Sequence, residues 1–240
     1  MSASREHRGL ARADAAHAGR GATRERPGRE HLEPMRHRLA HGRVREHFAR
    51  YRFAAELLRG RVLDAGCGTG YGSQILAGAA EVREVLGIDQ DPRAIAHARR
   101  FYSSSRVRFL CEDLLSPGAA NLPAFDGIAC LEVLEHLEQP ERLLETLHLL
   151  LAPGGRLVIS TPLGRGRAVP SREAGHAFQL LRDEFERLLA PRFRARLFGQ
   201  KGEGIEPWRR GGRYFLMLAA CGSLLDEPRA GAGPPARIAR

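Results

Sequence analysis

The run Asp64-Ala65-Gly66-Cys67-Gly68-Thr69-Gly70 is the first part of the chain whose residue types could do chemistry. Glycines at every second position let a backbone turn sharply and approach a bound molecule closely. Two phosphate-binding readings fail on spacing. A dinucleotide loop needs Gly-x-Gly-x-x-Gly, but the three registers meet Tyr71, Ser73 and Ile75 at the last position. A phosphate loop needs a Lys-Ser/Thr ending, which this run lacks. An acid at its start and no cation for phosphate suit a ligand with an ammonium group and no pyrophosphate. Asp89 follows Gly70 by 19 positions, where an acidic side chain would accept both hydrogens of a ribose diol.

A second group lies further on. Glu132, Glu135 and His136 stand at i, i+3 and i+4, so a helix there would put them on one face. His136 and His176 are candidate catalytic bases, because imidazole titrates near neutrality and can take a proton from a hydroxyl. His176 is the better placed of the two if its segment folds over the acceptor. Together Glu132, Glu135, His136 and His176 form a mixed carboxylate and imidazole set that would also suit a divalent metal. A metal-free site is preferred, with the metal as the alternative. His97 and His148 fall within helical stretches and are expected on the surface.

Elements of alternating type position these residues. HFARYRFAAELL (47–58) has helical period. RVLDA (61–65) is a strand running into the glycine loop, followed by a helix over about 72–79 and the strand EVLGID (84–89). Asp91-Pro92 opens a helix that runs to Tyr102. RVRFLC (106–111), FDGIACL (125–131) and GRLVIS (155–160) read as strands, and 137–152 as a helix stopped by Pro153-Gly154-Gly155. A helix at 183–190 and strands at 192–198 and 213–221 complete the series. The alternation predicts a Rossmann-like α/β fold, a mostly parallel seven-stranded sheet with helices on both faces.

Composition narrows the class. The chain has 240 residues and a net charge of +10, but residues 1–60 carry 14 arginines against seven acids. Residues 61–240 hold 24 cations against 21 acids and show no basic strand interleaved with aromatics, so nucleic acid is not expected as a partner. One domain is expected over 36–225, between a disordered basic tail (1–35) and a disordered tail (226–240). Met35 is a candidate initiator. No apolar signal core or spanning stretch is visible, and four scattered cysteines without a CxxC pair point to a reducing cytoplasm.

From about residue 44 to 222 the chain resembles the class I S-adenosylmethionine-dependent methyltransferases. The resemblance rests on the glycine loop, GIDQD (87–91), Glu112-Asp113, FDGIACLEVLEHL (125–137) and LLAPGGRLVISTP (150–162). More narrowly it resembles bacterial methyltransferases associated with glycosyltransferases in polysaccharide clusters. These share an RYxFA helix, the CGTGYGS loop, a late histidine before a helix and an ending like LFGQK (197–201). Two departures fall near the acceptor side: Leu163 stands where that pattern has Asn, and Arg172–Gly175 replaces an Asn-Pro run.

The resemblance implies S-adenosylmethionine as cofactor. It assigns Asp64 and the backbone of Gly66, Gly68 and Gly70 to the methionine part, and Asp89 to the ribose. Asp113 and Leu114 go to the adenine, and Leu131 and Glu132 flank the sulfonium. Asp113 has a plainer alternative as a turn cap. The Glu/Glu/His/His set resembles that of small-RNA 2′-O-methyltransferases and, more loosely, ubiquinone-pathway O-methyltransferases. Three functions follow: O-methylation of a small molecule or saccharide with a histidine base, metal-assisted RNA 2′-O-methylation, and a non-catalytic cofactor-binding module. The first is preferred, because the motif series is intact and two candidate bases are present.

Overall fold

A computed structural model describes residues 41–223, so the expectations for both tails fall outside the described residues. The elements run α1 (His41–Leu57), β1 (Gly60–Ala65), α2 (Tyr71–Ala77), β2 (Val82–Asp89), α3 (Pro92–Tyr102), β3 (Val107–Cys111) and β4 (Phe125–Leu131). They continue with α4 (Pro140–Leu150), β5 (Leu151–Pro162), α5 (Arg182–Leu189), β6 (Phe193–Lys201), β7 (Gly204–Pro207) and β8 (Leu216–Ser223). No helix among the described residues is long and apolar enough to cross a membrane.

All eight strands form one sheet in the order β3-β2-β1-β4-β5-β8-β6-β7. The first five are parallel, and β8, β6 and β7 join by antiparallel pairing. The fold is therefore the expected Rossmann-like one, with eight strands where seven were anticipated. The addition is β7, four residues long and exposed at three of them, so it has no apolar alternation to signal it. β8 begins at Leu216, three residues later than expected, because residues 208–215 form a loop.

Strands β1 and β4 are buried on both faces and read as apolar runs, as covered parallel strands must. One face packs Leu63 and Ile128 against Leu143, Leu144 and Phe185 of α4 and α5. The other packs Val62 and Ala129 with Tyr51, Leu76 and Ile95 of α1, α2 and α3. The chain runs outward from β1 through β2 to β3 and then crosses back to β4 on the other side of β1, so the carboxyl ends of β1 and β4 open a crevice, the usual ligand site of such sheets. Helix α3 starts as expected: Asp91 accepts from the Arg93 N–H at 2.8 Å and Pro92 takes the first helical position.

Gly72, in α2, lets α1 and α2 meet. A Cβ on it would lie 2.0 Å from Cζ of Tyr51, a buried ring that also donates to Asp64. Gly72→Ala must displace Tyr51, and overpacking of this kind costs typically about 1–3 kcal/mol. Thermal melting should show a drop of several degrees; an unchanged midpoint would mean that the helices separate freely.

Candidate functional site

A cavity of about 900 Å³ opens at the carboxyl ends of β1, β4 and β5. Its walls come from α1, the glycine loop, the turn after β4, the segment 162–179 and the start of β8.

The glycine loop is shaped by backbone that only glycine adopts readily. Gly66, Gly68 and Gly70 have φ of 76, 52 and 91°, and a Cβ on Gly66 or Gly70 would strike Val133 or Ala98 and Phe109. At Gly68 nothing lies within 4 Å of such a Cβ, so this turn of backbone faces open space. Asp89 holds the turn from the side: its carboxylate accepts from the Gly68 N–H at 2.8 Å and the Asp91 N–H at 2.9 Å. His97, half-buried on α3, has Nδ1 3.3 Å from the Thr69 carbonyl oxygen, and His148 packs on Phe193. Both lie on helices as expected and are half-buried.

Asp64 does not line the cavity. It is fully buried behind the loop, accepting from the Ser73 hydroxyl at 2.6 Å and the Tyr51 hydroxyl at 3.1 Å. Burial raises its carboxyl to about 6 against those two bonds, so it stays mostly ionised at neutral pH and ties α1 and α2 to the end of β1. Gly66, Gly68, Glu132, His136 and His176 line the cavity, while Gly70, Asp89, Asp113, Leu114 and Leu131 are not among its lining residues. Asp113 is exposed and accepts from the Leu115 N–H at 2.8 Å, a turn-capping bond that leaves its other carboxylate oxygen open. Leu114 and Leu131 are buried.

The stretch after β4 is not the helix that would align Glu132, Glu135 and His136. Glu132 has φ 56°, and Leu134–His136 is a single 3-10 turn. A left-handed residue followed by a tight turn sends Glu132 one way and the other two another. The Glu132 carboxylate pairs with Arg50, and His47 Nε2 lies 3.4 Å from it. Glu135, His136 and His176 offer ligand atoms all within 4.8 Å of one another. The expected four-residue metal set is thus reduced to three.

Within this trio the proton positions are constrained. His136 Nδ1 lies 2.8 Å from the Gly175 carbonyl oxygen, which can only accept. The proton therefore sits on Nδ1, and in the neutral ring Nε2 carries the lone pair. His176 meets His136 edge to face at 4.9 Å between ring centres. Glu135 is fully buried; Thr161 donates to its Oε2 at 3.2 Å and Oε1 has no partner. Burial pushes this carboxyl up to about 8, so it is mostly protonated at neutral pH.

Sequence reasoning missed the contribution of α1. Arg50 is 3% exposed, with its guanidinium on Glu132 and, at 2.8 Å, on Gln200 Oε1. His47 contacts the Tyr71 hydroxyl, and burial beside Arg50 lowers its imidazole to about 4, keeping it neutral. The signal was present: His47, Arg50 and Tyr51 stand at i, i+3 and i+4, polar positions on the stripe that also carries the apolar face of the helix.

Comparison with known proteins draws these features together. The family described as Methyltransferase domain matches residues 34–201. A ubiquinone biosynthesis O-methyltransferase of Xylella fastidiosa (strain 9a5c) is 42% identical over 107 residues, which cover 42% of this chain and 41% of that protein. A probable S-adenosylmethionine-dependent methyltransferase of Mycolicibacterium smegmatis is 36% identical over 123 residues, covering 49% and 44%. The matched segments thus span less than half of these curated relatives. Among solved structures, the N-methyltransferase NodS from Bradyrhizobium japonicum WM9 is similar with a TM-score of 0.57 and 23% identity, covering 76% of this chain and 97% of that one. The small RNA methyltransferase HEN1 is similar with a TM-score of 0.60 and 20% identity, over 73% of this chain and 25% of that one. At those identities the two structures share the fold.

Proposed function

The chain belongs to the methyltransferase-domain family, and from that premise we propose that it is an S-adenosylmethionine-dependent methyltransferase acting on a hydroxyl of a small molecule or saccharide. The observation that carries the choice of a hydroxyl is the fixed His136 tautomer, with its basic Nε2 in the same cavity as the glycine loop. The name of the Xylella relative supports the same choice of atom.

The loop fits the donor. Gly68 presents bare backbone to open space, and Arg50, the one Lys or Arg among the lining residues, is taken by Glu132 and Gln200 and so is not offered to a pyrophosphate. Asp89 would hold the ribose, Asp113 and Leu114 the adenine, and the Gly66–Gly70 backbone with Leu131 and Glu132 the methionine end. Asp64 acts from behind by fixing the loop through Ser73 and Tyr51. S-adenosylmethionine, when bound, supplies an electrophilic methyl group on a good leaving group. The protein's own work is to align the acceptor and take its proton, and alignment alone is worth up to about 7–11 kcal/mol in favourable cases. His136 Nε2 accepts that proton, while the Gly175 carbonyl holds Nδ1–H and steadies the resulting imidazolium.

Calorimetry with S-adenosylhomocysteine tests the donor assignment. Asp89→Ala removes two ribose bonds and the support of Gly68, so affinity should fall by about 3 kcal/mol, roughly a hundredfold. Unchanged affinity in that variant would remove the assignment.

A second reading is favoured by one observation, the Glu135, His136 and His176 trio with its unpartnered buried oxygen. Those residues would hold a divalent cation, which supplies a Lewis acid that lowers the pKa of an acceptor hydroxyl. EDTA distinguishes the two. Under the metal-free reading it leaves activity intact and Glu135→Ala is mild; under the metal reading it abolishes activity and each of the three substitutions is equally severe.

A further inference from the structure

Residues 208–215, Trp-Arg-Arg-Gly-Gly-Arg-Tyr-Phe, form the loop between β7 and β8, with three arginines, three aromatics and no acid. The near-balance of charge over residues 61–240 conceals this concentration, which lies in a loop and not in a strand. Arg209, Arg210 and Arg213 are all exposed, and no ion pair among the described residues engages them. Glu206, two residues before the loop, accepts from the Tyr214 hydroxyl at 2.8 Å.

The loop is built, and it reaches the cavity. Trp208 and Tyr214 pack at 4.7 Å between ring centres. Tyr214 lies on Gly199, where a Cβ would stand 2.3 Å from its ring, and Gly211 at φ 82° with the Gly212 N–H bonded to the Arg209 carbonyl closes the turn. Phe215, 40% exposed, lines the cavity mouth, and its carbonyl accepts from the Leu163 N–H at 3.0 Å. Arg213 stands two residues from Phe215, at most about 7 Å along the backbone. The rim is cationic, whereas the uncancelled carboxylates lining the cavity beside it are Glu46 and Glu173, since Glu132 is paired with Arg50 and Glu135 is mostly protonated.

We propose that this loop is a nucleoside-diphosphate site, and that the acceptor enters the cavity as a sugar carried on that diphosphate. The proposal rests on the methyl-transfer reading of the cavity and names its substrate class. Guanidinium groups bind phosphate oxygens in paired, charge-assisted bonds, and three of them in five residues match one diphosphate. Flat aromatic surface beside them suits a base. The sugar of such a molecule is joined directly to the diphosphate, so anchoring the phosphates at the rim delivers its hydroxyls past Phe215 toward His136. A continuous nucleic acid fits less well. Its next phosphates would have to pass Glu46 and Glu173, and three clustered cations are few for a backbone that gains affinity by neutralising many phosphates.

The chain's one tryptophan, Trp208, is a built-in reporter. UDP, dTDP, GDP and ADP are titrated separately into the full chain saturated with S-adenosylhomocysteine, following tryptophan fluorescence and heat. At least one should bind, with affinity falling as salt rises. The triple variant Arg209→Ala/Arg210→Ala/Arg213→Ala should bind it at least tenfold more weakly while keeping its affinity for S-adenosylhomocysteine. The proposal is overturned if none of the four binds at millimolar concentration, or if the triple variant binds as the parent does. It is equally overturned if a single-stranded RNA decamer or phosphatidylglycerol vesicles bind through these arginines while the four diphosphates do not. Loss of S-adenosylhomocysteine binding in the unaltered chain would instead remove the reading of the cavity, and the diphosphate titration would still report on the loop.

Discussion

His136→Ala is expected to lower turnover by about 10²–10⁴-fold with the affinity for S-adenosylhomocysteine nearly unchanged. The size follows from the chemistry. A hydroxyl needs its proton taken as the new bond forms, and the Gly175 carbonyl fixes the basic nitrogen of His136 for that work. His47 is turned to Tyr71 and kept neutral by burial next to Arg50. His176 packs edge to face on His136, so its removal loosens the base and should cost less than loss of the base itself. This ordering reverses the preference that position in the sequence suggested, and the Gly175 carbonyl is the reason. Single-turnover rates on the true acceptor would measure it. Full activity in the His136→Ala/His176→Ala double variant would leave alignment alone to explain the rate.

The part of this fold legible in the sequence is the part set by local rules. The strand and glycine turn at Val62–Gly70, the Asp91-Pro92 helix start and the apolar run at Phe125–Leu131 each follow from neighbours in the chain. Long-range pairing was less visible. β7 is too short and exposed to announce itself, and it exists because β6 offers an edge to pair with. The site divides the same way. Gly66, Gly68 and Asp89 could be read from spacing, since a turn and a strand end fix them. The direction of Glu132 could not, because one positive φ angle decides whether it joins Glu135 and His136 or meets Arg50, more than 80 positions earlier. Asp64 shows the complementary error: its motif position suggested ligand contact, while Ser73 and Tyr51 draw it behind the loop.

Glu135→Gln should flatten the fall of stability at alkaline pH. Burial is the main reason that the Glu135 carboxyl sits near 8 and not at its ordinary 4.5; the neighbouring Glu132 adds to the rise, and Thr161 and Arg50 oppose it. The folded protein therefore binds this proton more tightly than the unfolded chain does. That advantage is complete below about pH 4.5 and is lost as pH climbs to 8. Two other buried groups titrate lower. Asp64, raised to about 6, also loses stabilisation with rising pH, whereas His47, lowered to about 4, makes the fold more stable as pH rises toward 6.5. Between pH 6.5 and 8 Glu135 acts nearly alone, and its loss there amounts to about 2 kcal/mol. For a chain of this size that is a drop in melting temperature of about 4–8 °C, which Glu135→Gln should largely abolish. Melting in EDTA reads the effect with the trio bare. If zinc or manganese added back removes the slope in the parent chain but not in His176→Ala, the carboxylate is ionised by a cation and the metal reading gains. An equal slope in parent and Glu135→Gln would mean that water reaches the carboxylate and that its proton takes no part in folding.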